Sequence, residues 1–524
     1  MPDGLAELLD RLLIPFITAV GLLSFCRGVD LHIHRLTRLI QFLLLVVLAA
    51  CSLGWLTAVR QAAPSPHREL RPLWVLYDKF SSGYFYEAAF RTESQTELLS
   101  TYEARMAKGD VFHEGTHPPG LFLLNWWAIQ ATAGSETLTA IAERTQLSST
   151  VVMFRKLEAE ANVARPLSRT ELAALCLVSF LSTLLAGMTV VPVFGLVSLV
   201  ADPRTAWRAA SLMLTVPTIS VFAPRSDVVY AFSATLLLWM IIAGWIAPSS
   251  RGRALWSLLA GVVAFVSLTI SLAHLTVLVA GAAFAILSLT GRDRLPLRRI
   301  AIATMLMISP FVVLCVGWEM ATDCNLFTVW KLNLANHAAF YSQFTRTWWK
   351  WALVNPLELS MAVGLPVTVF SVYGFVRSLR HCLAQRCPNA SEPASGVHNA
   401  SVPGKPSPVF AGSQNSARLI VALTGTWILL WLSGRNMGEA ARLWCFLTPW
   451  FVISGTVGVL SCCESSCESR VESAAVSASR TAPAASVTTK SFDADGHRDW
   501  LLLLIAQLIV CTITVGRVSG YLEL

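Results

Sequence analysis

The chain reads as an all-α, polytopic membrane protein with about 12 to 14 transmembrane helices. Three observations predict this. Of its 524 residues, 54% are hydrophobic and only 14% charged, at a mean hydropathy of +0.58. A water-soluble protein of this length needs far more charge to cover its surface. Apolar runs of roughly 17 to 23 residues recur along the chain, the length a helix needs to cross a bilayer. The runs are continuous rather than alternating, which selects helices over a barrel.

Taken in order, the apolar segments run from Leu12 to Phe25, Leu39 to Leu56, Leu121 to Ala133 and Leu172 to Val200. They continue from Ala209 to Phe222, Val228 to Ile246, Leu255 to Thr290 and Ile300 to Met320. The last four are Leu359 to Val376, Leu419 to Leu432, Leu443 to Leu460 and Leu501 to Thr514. The run from Leu255 to Thr290 is too long for one crossing. It breaks at Ser271-Leu272-Ala273-His274 and is expected to be a hairpin.

Basic clusters set the expected orientation. Arg27, Arg35 and Arg38, then Arg251 and Arg253, then Arg292, Arg294, Arg298 and Arg299 mark cytoplasmic ends. Alternation puts residues 60–117, 324–356 and 434–442 outside. One conflict arises: 144–169 and 202–208 are both basic, yet a single apolar run joins them. A break at Pro192 and Gly195 is one way to reconcile the two.

The net charge of +8 does not point to nucleic acid, because the arginines sit between apolar runs and not along one soluble face. The acidic start, with Asp3, Glu7 and Asp10, argues against a cleaved signal peptide. Residues 388–415 and 462–493 are rich in Ser, Ala and Pro and too poor in large apolar residues to fold alone. The chain therefore divides into a module of residues 1–376, a disordered cytoplasmic loop 377–418, and C-terminal membrane helices 419–524 interrupted by a disordered loop 462–499. Cys462, Cys463 and Cys467 lie in that last loop without the paired spacing of a metal knot.

The chemistry concentrates in the first outer loop, about 58 residues long and thus too long for a plain connection. It carries Asp78, then Ser81-Ser82-Gly83-Tyr84-Phe85-Tyr86-Glu87, and ends in His113-Glu114-Gly115-Thr116-His117-Pro118-Pro119-Gly120. The stretch 84–105 is expected to form two short interfacial helices. Polar groups gathered at the mouth of an apolar segment mark a site for something half lipid and half water-soluble. His113, Glu114 and His117 can also be read as ligands for a divalent cation.

These features resemble the GT-C glycosyltransferase superfamily, which includes protein O-mannosyltransferases and lipid A aminoarabinose transferases. The resemblance rests on an acid in the first outer loop, the tyrosine-bearing helix, and His117-Pro118-Pro119. Pro224-Arg225-Ser226-Asp227 and Glu439-Ala440-Ala441-Arg442-Leu443-Trp444 are similar to later motifs of that family. It implies transfer of a sugar from a polyprenyl-phosphate carrier to a lipid, glycan or protein acceptor at the outer face of a membrane, in a bacterial cell the cytoplasmic membrane. Asp78 best matches the family's catalytic acid, with Glu87 and Glu114 as the other candidates. His117, Tyr84, Tyr86, Arg225, Asp227, Glu439 and Arg442 would bind substrate. Lys331 and His337, with Trp330, would belong to a lid in the 324–356 loop. Trp348, Trp349 and Trp351 read as an aromatic belt.

A hydroxyl acceptor needs a positioned carboxylate to take its proton, and a departing phosphate needs fixed cationic donors. No metal is required for that chemistry. The competing expectation is a transporter or flippase of lipid-linked saccharides. Such a protein would place ionisable groups mid-span and often show two related halves, and neither is evident here.

Overall fold

The computed structural model describes residues 2–110, 113–161, 165–290, 293–384, 414–460 and 489–518. Among these residues every regular element is a helix, so the protein is an all-α polytopic membrane protein. In chain order the helices are α1 (Pro2–Asp30), α2 (Arg38–Val59), α3 (His67–Tyr77), α4 (Tyr84–Phe90), α5 (Gln95–Ala107), α6 (Gly120–Ala133), α7 (Glu136–Glu143) and α8 (Ser148–Glu160). Then come α9 (Arg169–Gly187), α10 (Val190–Ser198), α11 (Pro203–Met213), α12 (Pro217–Phe222), α13 (Ser226–Ile246), α14 (Ser250–Ile270), α15 (Leu275–Ser288) and α16 (Leu297–Thr322). The last are α17 (Leu326–Gln343), α18 (Trp348–Val363), α19 (Leu365–Ala384), α20 (Gln414–Leu432), α21 (Ala440–Leu443), α22 (448–460) and α23 (Thr489–Arg517).

Eight helices among the described residues are long and apolar enough to cross a membrane, or nine if α18 and α19, bent by 112°, count as one. This corrects the expected 12 to 14. The apolar helices 272–288 and 445–460 are shorter than a full crossing. The run 203–222 is interrupted before Pro217, whose ring suits a helix start and not a helix interior. Leu121–Ala133 is not a crossing at all. The 14-residue α6 is only about 21 Å long, against a hydrocarbon core of roughly 30 Å.

Arg169–Ser198 forms one apolar stretch of 30 residues, about 45 Å long, so one end projects beyond the bilayer. Gly187 packs on Ser52 and Leu53 of α2, whereas Gln146, before α8, bonds Ser179 at 3.2 Å. The start of α9, together with α3 to α8, therefore stands above the end of α2. This settles the conflict over 144–169. Three of its four arginines are paired: Arg155 with Glu158 at 2.6 Å, Arg165 with Glu171 at 2.6 Å, and Arg169 with Glu136 and Glu143 at 2.7 and 2.8 Å. Neutralised arginines outside the membrane are no orientation signal.

The remaining clusters sort by end as their charge predicted. Arg208, Asp30 and His497 meet at the end opposite the 60–168 segment, as do Arg418 and the carbonyl of Asp293. The hairpin turns at Ser271–His274, as expected. The loop 377–418 is shorter than expected, because α19 continues through Ala384 and α20 begins at Gln414. Helix α23 likewise starts at Thr489, inside the expected loop 462–499. The rest of both loops, including Cys462, Cys463 and Cys467, lies outside the described residues.

Candidate functional site

Four separated stretches of chain meet at the end that carries residues 60–168. The first is the turn after α3. Asp78 ends that helix in an extended conformation, its Oδ2 accepts the Ser81 backbone N–H at 2.7 Å, and its carbonyl accepts from Ser81 and Ser82. Gly83 follows with φ of +71°. A Cβ there would lie 2.5 Å from the His113 ring, so only glycine lets the turn pass beneath that histidine.

Tyr84 opens α4 from this turn and is buried. Its ring lies edge-on to His113 at 5.5 Å, His117 at 5.3 Å and Phe122 at 5.2 Å. The second stretch is therefore the 113–119 turn. Tyr102 of α5 donates its hydroxyl to the His117 carbonyl at 2.8 Å, and the His113 ring nitrogen lies 3.4 Å from the Phe80 carbonyl.

Arg225, just before α13, is the third stretch. It is buried at 3% exposure and donates to the Ser81 carbonyl, joining the Asp78 turn. The fourth is 434–442, where Arg442 pairs with Glu439 and Thr218 of α12 bonds the Ala441 carbonyl. Glu439 adopts a left-handed conformation and Ala440 donates its N–H to Glu358 of α18 at 3.1 Å.

The electrostatics tie these stretches into one cluster. Burial, with Tyr230 and Asp227 nearby, pushes the Tyr84 hydroxyl well above its ordinary range. Burial holds His117 well below its ordinary value of 6.5, helped by His113, His337 and Arg442. Burial also lowers His113, with Arg442 and Arg225 adding to the effect. Burial and the neighbouring Arg442 lower Arg225, with Asp227 and Glu439 opposing. The cluster thus gathers two guanidinium groups, two uncharged imidazoles and a carboxylate from Asp227 around a buried tyrosine.

Not every expected residue belongs to it. Glu87 pairs with Arg91 at 3.0 Å, and burial raises its pKa. Glu114 pairs with Arg105 at 3.1 Å, and Arg105 also holds Glu97 at 2.5 Å. Asp78 is the one of the three acids that has no cation paired with it among the described residues. Tyr86, about 200° around the helix from Tyr84, leaves the site and packs on Phe90 at 4.8 Å with Arg91 above it. Lys331 is exposed and by the same arithmetic faces away from Asn333. Trp330 bonds the Leu268 carbonyl at 3.1 Å and stacks on Phe311, so it is structural. His337 does reach the site, near His117 and the Thr116 backbone.

The proposed metal set is not gathered: Glu114 turns to Arg105 while the two histidine rings lie 6.4 Å apart. Among the described residues no three His, Cys, Asp or Glu side chains converge as ligands.

Sequence reading missed the supports. Asn333 and Asn336 of α17 are buried. Asn333 donates to the Thr116 carbonyl at 2.6 Å, and Asn336 to Gly115 at 2.9 Å and Met106 at 3.0 Å. Their signal is two amides three residues apart, on one face of the helix. Asn355 and Glu358 of α18 repeat that spacing and hold Gly438 and Ala440.

No family model matches this chain, and none of the curated proteins matches it.

Proposed function

We propose that the protein is a membrane glycosyltransferase that takes a sugar from a polyprenyl-phosphate carrier at the exoplasmic end of the bundle. The observation that carries the reading is the meeting of the Asp78 turn, His117, Arg225 and Arg442, from four distant stretches, at one end of the helix bundle. A lipid carrier reaches such a site from the bilayer, while a polar acceptor reaches it from water.

In the reaction, the acceptor hydroxyl oxygen attacks the anomeric carbon and its proton passes to the Asp78 carboxylate. The bond from that carbon to the carrier phosphate breaks, and its electron pair leaves on the phosphate oxygen. Arg225 and Arg442 neutralise the charge that grows there. A single displacement inverts the anomeric configuration. Neutral His113 and His117 offer hydrogen bonds to sugar hydroxyls without adding charge. Lipid, glycan and protein acceptors are all compatible with this chemistry.

The test replaces Asp78 with Asn and follows transfer from radiolabelled polyprenyl-phosphate sugar in membranes. Loss of a general base is expected to slow transfer by roughly 100-fold or more. Undiminished transfer in the variant would remove Asp78 from the mechanism. Carrier-linked sugar that crosses the membrane intact, without transfer, would replace the reading with a flippase.

A further inference from the structure

A recess lies apart from this site, between α1, the start of α3 and the start of α8. It has a volume of about 320 Å³ and is lined by Asp10, Leu13, Ile14, Arg68, Glu69 and Ser149, among others, a size in the usual range for a ligand pocket. Its level in the bilayer follows from two contacts. Arg11 of α1 donates to the Ala62 carbonyl at 2.5 Å, where α2 ends, and Gln146 meets Ser179 at the point where α9 rises out of the apolar layer. The recess therefore sits at headgroup depth at the end that carries residues 60–168.

Its walls differ in kind. Leu13 and Ile14 are 55% and 52% exposed on a membrane-crossing helix, so that wall faces acyl chains. The other wall is charged. Arg68 bonds Glu69 through Nε at 2.6 Å, which leaves its Nη groups directed elsewhere. Glu69 Oε2 is buried and has no hydrogen-bond donor among the described residues. Asp10 supplies a second carboxylate at the rim, and the Ser149 hydroxyl a neutral donor.

We infer that this recess binds the headgroup of a phosphatidylethanolamine-type lipid. Its phosphate lies against the Arg68 guanidinium and Ser149, and its ammonium between Asp10 and Glu69. In the lining itself one cation faces two carboxylates, with Arg60 acting on Glu69 from behind, and that lining matches a zwitterion that ends in an amine. An anionic glycerol headgroup would meet Asp10 and Glu69 with repulsion.

The full-length protein in detergent is titrated with phosphatidylethanolamine or phosphatidylglycerol, and retained lipid is counted by native mass spectrometry. The wild type is expected to retain phosphatidylethanolamine about threefold better than Asp10→Asn or Arg68→Gln, the scale of a partly exposed ion pair. Phosphatidylglycerol retention should be lower in the wild type, should rise in Asp10→Asn, which removes one source of repulsion, and should fall further in Arg68→Gln. Asp10 is exposed, so its variant keeps the fold and stands as the control for Arg68. Equal retention of the two lipids by the wild type, or no loss in Asp10→Asn, overturns the assignment. Displacement of the lipid by millimolar phosphoethanolamine alone would overturn it too, by showing that the recess reads a free solute.

Discussion

In the proposed reaction Asp78, whose turn Arg225 touches at the Ser81 carbonyl, and Asp227 carry different duties. Asp78 is oriented by a backbone N–H and forms no ion pair among the described residues, which in the proposed reaction leaves lone pairs for a proton. Asp227 opens α13 beside Arg225, near Arg442 and Tyr84, and tempers the positive charge on the carrier phosphate. Asp78→Asn should therefore lower kcat with little change in KM for the carrier. Asp227→Asn should change chiefly KM, because an unopposed arginine pair grips the phosphate more tightly; transfer kinetics over a range of carrier concentrations separate the two. The histidines make a second claim. Burial lowers His113, His117 and His337 below 6.5, so as pH falls below about 6.5 the unfolded chain takes up protons that the folded one refuses. Stability is then undiminished above pH 6.5 and declines with acidification. Glu87, raised by burial, acts in the opposite direction, but only nearer the carboxylate range. Between pH 7 and 5 the melting temperature should drop, and His117→Asn should flatten that slope.

Helices α17 and α18 act as brackets for the two loops that supply the site. Deleting the Asn336 amide with Asn336→Ala leaves the buried Gly115 carbonyl without its Asn336 donor, while the Met106 carbonyl keeps the Gly109 N–H. A loss of about 1–3 kcal/mol is expected, visible as a lower unfolding midpoint and faster proteolysis between residues 106 and 120. Between α18 and α19 the chain turns by 112° at Gly364, whose φ is +100°. A Cβ there would fall 2.1 Å from the Gln507 amide nitrogen, and that amide donates to the Val363 carbonyl at 2.5 Å. Gly364→Ala should thus destabilise strongly in thermal unfolding. Adding Gln507→Ala should restore only part, since the backbone cost of about 1–3 kcal/mol remains. Hydropathy did not show this bend, because Leu359–Val376 averages as apolar; the local sign was Gly364 two residues before Pro366. The hairpin break was legible, since Ser271 and His274 interrupt the run with polar groups. Leu121–Ala133 misled for a physical reason. It packs beneath α9 and α4, with Leu121, Phe122 and Leu123 buried, and protein interior selects the same residues as lipid does.

At the scale of the whole bundle, the ends of the helices carry the charged chemistry and the middles carry the packing. Arginine placement therefore predicted which loops share an end, which puts Asp78 and His117 at the same end as Arg442. It failed at 144–169, where acids neutralise three of the four arginines, and it said nothing of which helix faces point inward, as Tyr86 and Lys331 show. At the end opposite the site, α1, α11 and α23 are tied by one buried carboxylate. Asp30 is fully buried, accepts from Arg208 at 2.8 and 2.9 Å, and lies 2.7 Å from the His497 ring. The guanidinium also rests over Trp500, 5.6 Å from its ring centre. Asp30→Asn would leave Arg208 buried opposite a neutral amide, a loss of roughly 3–5 kcal/mol. Asp30→Asn with Arg208→Gln removes both charges and should recover much of that loss, as thermal unfolding of the single and double variants would register. Because the network is a bundle length from Asp78, transfer per folded molecule should match wild type in the double variant. A drop in per-molecule activity there, with stability recovered, would mean that the two ends are coupled and not merely held at a fixed distance.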